Sequence, residues 1–309
     1  MAYKGVLFKI AALALFSIMA ALIKATAPQV PSWQAVFFRS FFAMLIILAW
    51  MGWRMQLHAD LKMHNPLGHF WRGLIGTLAM TLGFASLGLL PLPEVTAIGF
   101  TAPLLTVIFA AMFLGENVRL FRFCAVGVGL LGMVIIIHPR LTMFQSSPSG
   151  PNTIAALGVS LALGSAVFRA LSQIHVRKLV QTDSTFAIAF YFSLTATLMS
   201  LLTLPLGWVM PTTRETALLI GAGLLGGVGQ IMLTMGYRHA EASLLAPFDY
   251  LALLFALAIG YAVFAESPSW QTLLGGVLVI GAGLAIIWRE SQLGLDRKKE
   301  RARSMPPHG

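Results

Sequence analysis

Charge is scarce in this chain. Of its 309 residues only 10% are Asp, Glu, Lys or Arg, while 58% are hydrophobic. Soluble globular proteins carry roughly 25% charged residues. A water-soluble fold of this length could not cover its surface with so few, so the bilayer must act as solvent for much of it. Acidic residues are the scarcer kind, 11 against 21 basic ones. Cysteine is almost missing. Cys124 stands alone in an apolar run, which excludes a disulfide framework and a cysteine metal site and predicts a helix-packing role. His58, His64 and His69 share one polar loop without a helix-spaced pair, so no metal is expected there. Long polar stretches are lacking too. The longest are 53–70, 139–153 and the tail after Trp288, none long enough for a separate soluble domain. GxSxG and HExxH motifs are absent, as is the phosphate loop GxxxxGKS/T. No enzyme activity and no cofactor are expected.

The formal charge of +10 raises the question of nucleic acid. The basic residues lie in short loops and one tail rather than in a stripe interleaved with aromatics, so nucleic acid is excluded as a partner. What is plentiful is apolar sequence in runs of about 20 residues, the length that crosses a bilayer. Ten such spans are predicted: 5–24, 34–52, 71–89, 94–114, 121–138, 154–176, 185–208, 216–236, 243–264 and 270–288. The first is read as a retained span and not a cleaved leader, because Pro28 follows the cleavage-like Ala25-Thr26-Ala27. With the N-terminus inside, fifteen loop and tail basic residues fall on the cytoplasmic side, Arg72 among them, and three on the other. Lys9, Arg39 and Arg169 fall within spans. The expectation is a multi-pass inner-membrane protein with both termini cytoplasmic. Trp33, Trp53, Trp71, Trp208, Trp270 and Trp288 fall near span ends, as an aromatic belt would place them.

The segment 142–153, rich in Ser, Pro, Gly and Asn, reads as a linker between a first half, 1–141, and a second, 154–288. A basic tail, 289–309, follows. Each half holds five spans and ends in a related pattern: an acid, an apolar run closing on Glu116 or Glu266, then a glycine-rich run. Five is odd, so a repeated unit must enter the membrane from opposite sides. That is the inverted-repeat plan of many secondary transporters, with a substrate site near the midplane. The fold class expected is therefore an all-α polytopic membrane protein with ten helices in two inverted five-helix repeats.

Three segments carry a family resemblance: FFRSFFA in span two, APLLTVIFAAMFLGE in span four and APFDYLALLFALAIGYAVFAE in span nine. With ten spans in two halves, the chain resembles the EamA-type branch of the drug/metabolite transporter superfamily. The resemblance implies an inner-membrane carrier of small organic metabolites that hydrolyses no ATP. It does not specify the substrate. Riboflavin import is the first expectation, on resemblance alone. Aromatic or amino-acid export and an S-adenosylmethionine-type carrier are the alternatives, and a non-transporting sensor or scaffold is the distant one. The sequence does not decide between monomer and homodimer.

Several polar residues interrupt the spans. Asp249 sits in span nine, where a carboxylate costs about 2.5–3.5 kcal/mol on insertion scales. It either carries a proton, contacts substrate or pairs with a buried arginine or tyrosine. Gln230, Thr234 and Tyr237 share one face of span eight, and Thr77 and Thr81 one of span three. Each stripe could wall a cavity or simply bond helices together. Arg39 and Arg169 could bind an anion, pair with an acid or snorkel, whereas Lys9 reads as a snorkelling anchor. Pro103 and Pro247 lack an N–H and free a carbonyl, as a hinge or a simple kink would. Phe100, Tyr191, Phe248 and Tyr250 could stack on a planar ring. Glu94 and Glu241 open spans four and nine as possible gates, although a helix N-terminus favours a carboxylate in any case. Glu116 and Glu266 read as interfacial.

Overall fold

In the computed structural model the described residues are 2–54, 61–114, 120–146, 151–240 and 242–304. Glu241, Glu116 and His58 lie outside them. Among the described residues twelve α-helices run in chain order: α1 Ala2–Thr26, α2 Ser32–Trp53, α3 Pro66–Leu87, α4 Leu92–Gly99, α5 Thr101–Leu114, α6 Leu120–Ser146, α7 Pro151–Leu179, α8 Thr185–Leu201, α9 Thr213–His239, α10 Ala242–Leu245, α11 Leu251–Phe264 and α12 Trp270–Ser304. Eight segments are long and apolar enough to cross a bilayer, and Phe123–His138 and Thr185–Leu201 are shorter apolar helices, making ten. No strand occurs among the described residues.

Local sequence explains the ends. The Asn65 side chain accepts from Gly68 N–H, and Pro66 follows at the first helical position, starting α3. Thr212 and Glu215 form a reciprocal capping box at the start of α9. Spans four and nine are each broken near their first third. In span four the helix is interrupted at Phe100, three residues before Pro103. In span nine a 3₁₀ turn over Ala246–Tyr250, containing Pro247, separates α10 from α11. A proline cannot donate to the carbonyl four residues back, so both breaks have a covalent cause.

The packing follows an exchange of halves. Span one packs on span eight (α1 on α9), and span six packs on span three (α7 on α3). Span two packs on span eight, and span seven on span three. Spans two and seven meet each other, as do five and ten (α6 and α12). Renumbering each span by five maps this set onto itself, as an inverted repeat requires. Small residues permit the closest approaches: a Cβ at Gly132 would stand 2.7 Å from the Gly275 carbonyl oxygen.

Some expectations need correction. The segment 142–153 is helical at both ends, since α6 reaches Ser146 and α7 begins at Pro151; residues 147–150 lie outside the described residues. The tail after Trp288 continues α12 as far as Ser304. Cys124 is exposed on α6 rather than packed between helices. Many large apolar side chains are bare on the outer surface, among them Leu120, Leu131, Tyr261 and Val277, as a bilayer-facing surface demands.

Candidate functional site

The two ends of α1 are tied to span nine and the turn that closes it. Near its start, Lys9 Nζ lies 2.7 Å from Asp249 Oδ1. The same ammonium donates to the Tyr237 hydroxyl at 3.2 Å and stands over its ring at 5.0 Å. The Lys9 side chain is only 2% exposed, against 42% for Asp249. Lys9 is therefore no snorkelling anchor: the nearby carboxylate and phenol hold it inside the bundle. Near the other end of α1, Lys24 Nζ lies 2.9 Å from Glu266 Oε1. It also donates to the Leu87 and Leu90 carbonyls at 3.0 and 2.6 Å. The second oxygen of Glu266 accepts from Leu92 N–H at 2.8 Å, capping α4 where the helix dipole favours a negative charge. Glu266 thus joins spans one, four and nine, a larger part than an interfacial residue plays.

Between these ends, the two broken spans meet through aromatic rings. Phe100 and Tyr250, at the interruptions of spans four and nine, have centroids 5.2 Å apart. The Tyr250 hydroxyl rests against Gly283 of α12, where a Cβ would occupy its place.

A second polar group lies between α2, α3, α7 and α8. Arg39 and Arg72 stand over the single ring of Phe192, at 5.9 and 4.1 Å from its centroid. Arg39 is 9% exposed, and its Nε has no hydrogen-bond partner. Arg72 Nε and Nη1 and the Ser172 hydroxyl are likewise unpartnered. Arg39 therefore does not snorkel, and Arg72, counted with the loop charges, belongs to the interior of α3. Arg169, one turn before Ser172 on α7, reaches between spans three and four. A Cβ at Gly83 would meet its Nη2 at 3.9 Å, and one at Gly99 its Nη1 at 3.3 Å.

The other expected site residues fall as follows. Thr234 donates its hydroxyl to the Gln230 carbonyl of its own helix at 2.9 Å, and Tyr237 on the same helix meets Lys9. Thr77 and Thr81 likewise bond Gly73 and Thr77 carbonyls, at 2.7 and 2.9 Å. Tyr191 does not stand with Phe100 and Tyr250. Its hydroxyl donates to the Leu61 carbonyl at 2.8 Å, and its ring packs on His69. Phe248 is half-buried beside Asp249, and Glu94 is buried in the first turn of α4. A cavity of about 470 Å³ opens near the end of α1 among Ile23, Ala27, Val30, Phe84, Gly88 and Leu89, away from all three arginines.

His64 and His69 converge on Asp183 in the loop between α7 and α8. Asp183 Oδ1 accepts from the His64 N–H at 2.8 Å and lies 3.0 Å from His64 Nδ1. Thr182 donates to Oδ2 at 2.9 Å, and His69 Nε2 is 3.4 Å away. Burial pushes the Asp183 carboxyl up, but the bonds from His64 and Thr182 and the charge of His69 outweigh it and hold it below the usual carboxylate range. No group arranged to hold a metal ion occurs among the described residues.

Ten apolar helices, exchange-related packing and ion pairs across the halves define a polytopic membrane carrier. The EamA-like transporter family matches the chain twice, over residues 3–138 and 156–288, and the chain belongs to that family, within the drug/metabolite transporter superfamily. It is 32% identical to a pseudopaline exporter of Pseudomonas aeruginosa over 91% of this chain and 95% of that one. It is 29% identical to an S-adenosylmethionine uptake transporter of Rickettsia felis over 87% of each chain. It is 32% identical to a riboflavin transporter of Rhizobium johnstonii, covering 84% of this chain and 82% of the relative. A solved crystal structure shares the fold at a TM-score of 0.65 and 21% identity, over 92% of this chain and 97% of that one. The chain is a transporter, not an enzyme.

Proposed function

We propose that this protein moves a small organic metabolite by alternating access, with α1 latched to the two ends of span nine by ion pairs that open one at a time. One observation carries the reading: Lys9–Asp249 and Lys24–Glu266 close opposite ends of the same helix against the same neighbour. A route to either side requires α1 to part from span nine at that end. With one pair broken, the other still seals the far end. The gate role expected of Glu94 and Glu241 passes in this reading to Glu266 and Asp249, and the breaks beside Pro103 and Pro247 let spans four and nine bend. A proton on Asp249 would remove the charge that holds Lys9, so proton coupling and latch opening would be one event. The charge asymmetry of the loops supports an inner-membrane location with both termini cytoplasmic. A C-terminal alkaline phosphatase fusion should then be inactive.

Relatives named for export and for uptake stand at comparable identity. Riboflavin import keeps its place as one candidate beside S-adenosylmethionine-type and aromatic or amino-acid substrates. The purified protein in proteoliposomes, offered labelled riboflavin, S-adenosylmethionine and an aromatic amino acid, should exchange at least one across the bilayer. Thermal stabilisation by one of them with no flux of any would make the chain a membrane sensor instead.

A further inference from the structure

Three guanidinium groups lie inside the bundle without an acid. No carboxylate stands within ion-pair distance of Arg39, Arg72 or Arg169 among the described residues; Asp249, Glu266 and Asp183 pair instead with Lys9, Lys24, His64 and His69. Each arginine sits on a different spanning helix, α2, α3 and α7. Arg39 and Arg72 share one ring, so two like charges are held close together. Stacking on Phe192 orients them but neutralises neither. A charge in the membrane interior is costly unless it meets a counter-charge or a water-filled space. Five hydrogen-bonding N–H groups on each guanidinium also seek acceptors, and here Arg39 Nε and Arg72 Nε and Nη1 are buried with none.

Arg169 projects from a buried stretch of α7, where its neighbours Ala166 and Ala170 are 0% exposed. Its own side chain is nevertheless exposed, and its guanidinium points between α3 and α4 toward Gly83 and Gly99. Gly99 immediately precedes Phe100, whose ring faces Tyr250. The guanidinium therefore approaches the backbone one residue before the break at which Phe100 meets Tyr250.

Resting on the carrier reading above, we propose that the transported metabolite is an organic anion whose carboxylate or phosphate oxygens are bound by Arg169, with Arg39 and Arg72 supplying the attracting field. The planar guanidinium fork suits either oxyanion by two parallel hydrogen bonds. The anion supplies the counter-charge that the described residues do not, and an aromatic or apolar body would lie toward Phe100 and Tyr250.

Binding to the purified full-length protein tests this without any need for flux. The probes are 4-hydroxyphenylacetate, its uncharged amide, inorganic phosphate and riboflavin, each followed by thermal shift up to about 10 mM, a range that detects millimolar affinity. The carboxylate or phosphate should raise Tm, the amide should not, and the effect should weaken with added salt. Arg169→Gln should lower the apparent affinity about tenfold to a hundredfold, the usual worth of a hydrogen bond to a charged group. Arg169→Lys, which keeps the charge and loses the fork, should fall between, and decides the matter if the glutamine variant misfolds. Phosphate binding without carboxylate binding supports the site and assigns the phosphate oxygen. Equal stabilisation by acid and amide, binding by riboflavin alone, no shift with any anion, or wild-type anion affinity in both variants would overturn it. Anion binding in a protein that carries out no transport would retain this site and remove the carrier reading.

Discussion

The Lys9 ammonium and the Asp249 carboxylate meet at 2.7 Å, with the lysine side chain almost wholly buried and the aspartate partly open. Removing one partner leaves the other charge without its match, whereas removing both does not. Asp249→Asn and Lys9→Gln should each lower thermal stability. The double variant should lose less than the sum, with a coupling energy of about 0.5–3 kcal/mol in a double-mutant cycle. Additive losses would show that the pair contributes no energy as a pair. In a proton-coupled carrier, Asp249→Asn should also end accumulation against a gradient while exchange survives.

Tyr250 and Gly283 make a tighter test of packing. The tyrosine hydroxyl occupies the place of a Cβ on Gly283, so Gly283→Ala must displace the ring or the helix. Overpacking of this kind costs about 1–3 kcal/mol. Tyr250→Phe should relieve much of it, because the hydroxyl is the colliding atom. Thermal melts of the two single variants and the double variant check this. A harmless Gly283→Ala would mean that α12 shifts easily against the break in span nine.

Asp183 gives a pH dependence. Its folded-state carboxyl lies below the usual range, so its contribution is fully present above the unfolded value, about 3.9. That contribution is lost as pH falls through the folded value. Melting temperature should drop on acidification below about pH 4, and Asp183→Asn should flatten the drop. The asparagine variant should also loosen residues 61–69, read as faster amide exchange at His64. An unchanged acid profile in the variant would place the sensitivity on other carboxylates.

The ten spans were legible because each is a long apolar run, and a run's length is a local property. The breaks in spans four and nine were legible at Pro103 and Pro247 for the same reason: a missing N–H belongs to one residue. The partners were not legible. Lys9 meets Asp249, and Lys24 meets Glu266, only because the halves pack span one against span nine, and no spacing along the chain encodes that. Arg72 was assigned to a loop because the apolar window opens at Trp71. The helix begins earlier, at the Asn65 cap and Pro66, which draws Arg72 inside. Tyr191 has the same aromatic character as Tyr250, and only the fold sends it to His69 and Leu61 instead. A threonine hydroxyl can bond the carbonyl four residues back, as Thr77, Thr81 and Thr234 do, so a threonine within a span does not by itself mark a cavity.

Alternating access through these ion pairs requires the two latches to open separately. Spin labels at Gln29→Cys and Ser267→Cys report the Lys24–Glu266 end. Labels at Tyr3→Cys and Leu244→Cys report the Lys9–Asp249 end. All four positions are exposed, and Cys124→Ala removes the native thiol. Pulsed electron–electron distance measurements on the protein in lipid should show short distances at both ends. Glu266→Gln should lengthen the first pair and leave the second short, and Asp249→Asn should do the reverse. Distances that lengthen at both ends together, or at neither, would contradict alternating access through these ion pairs.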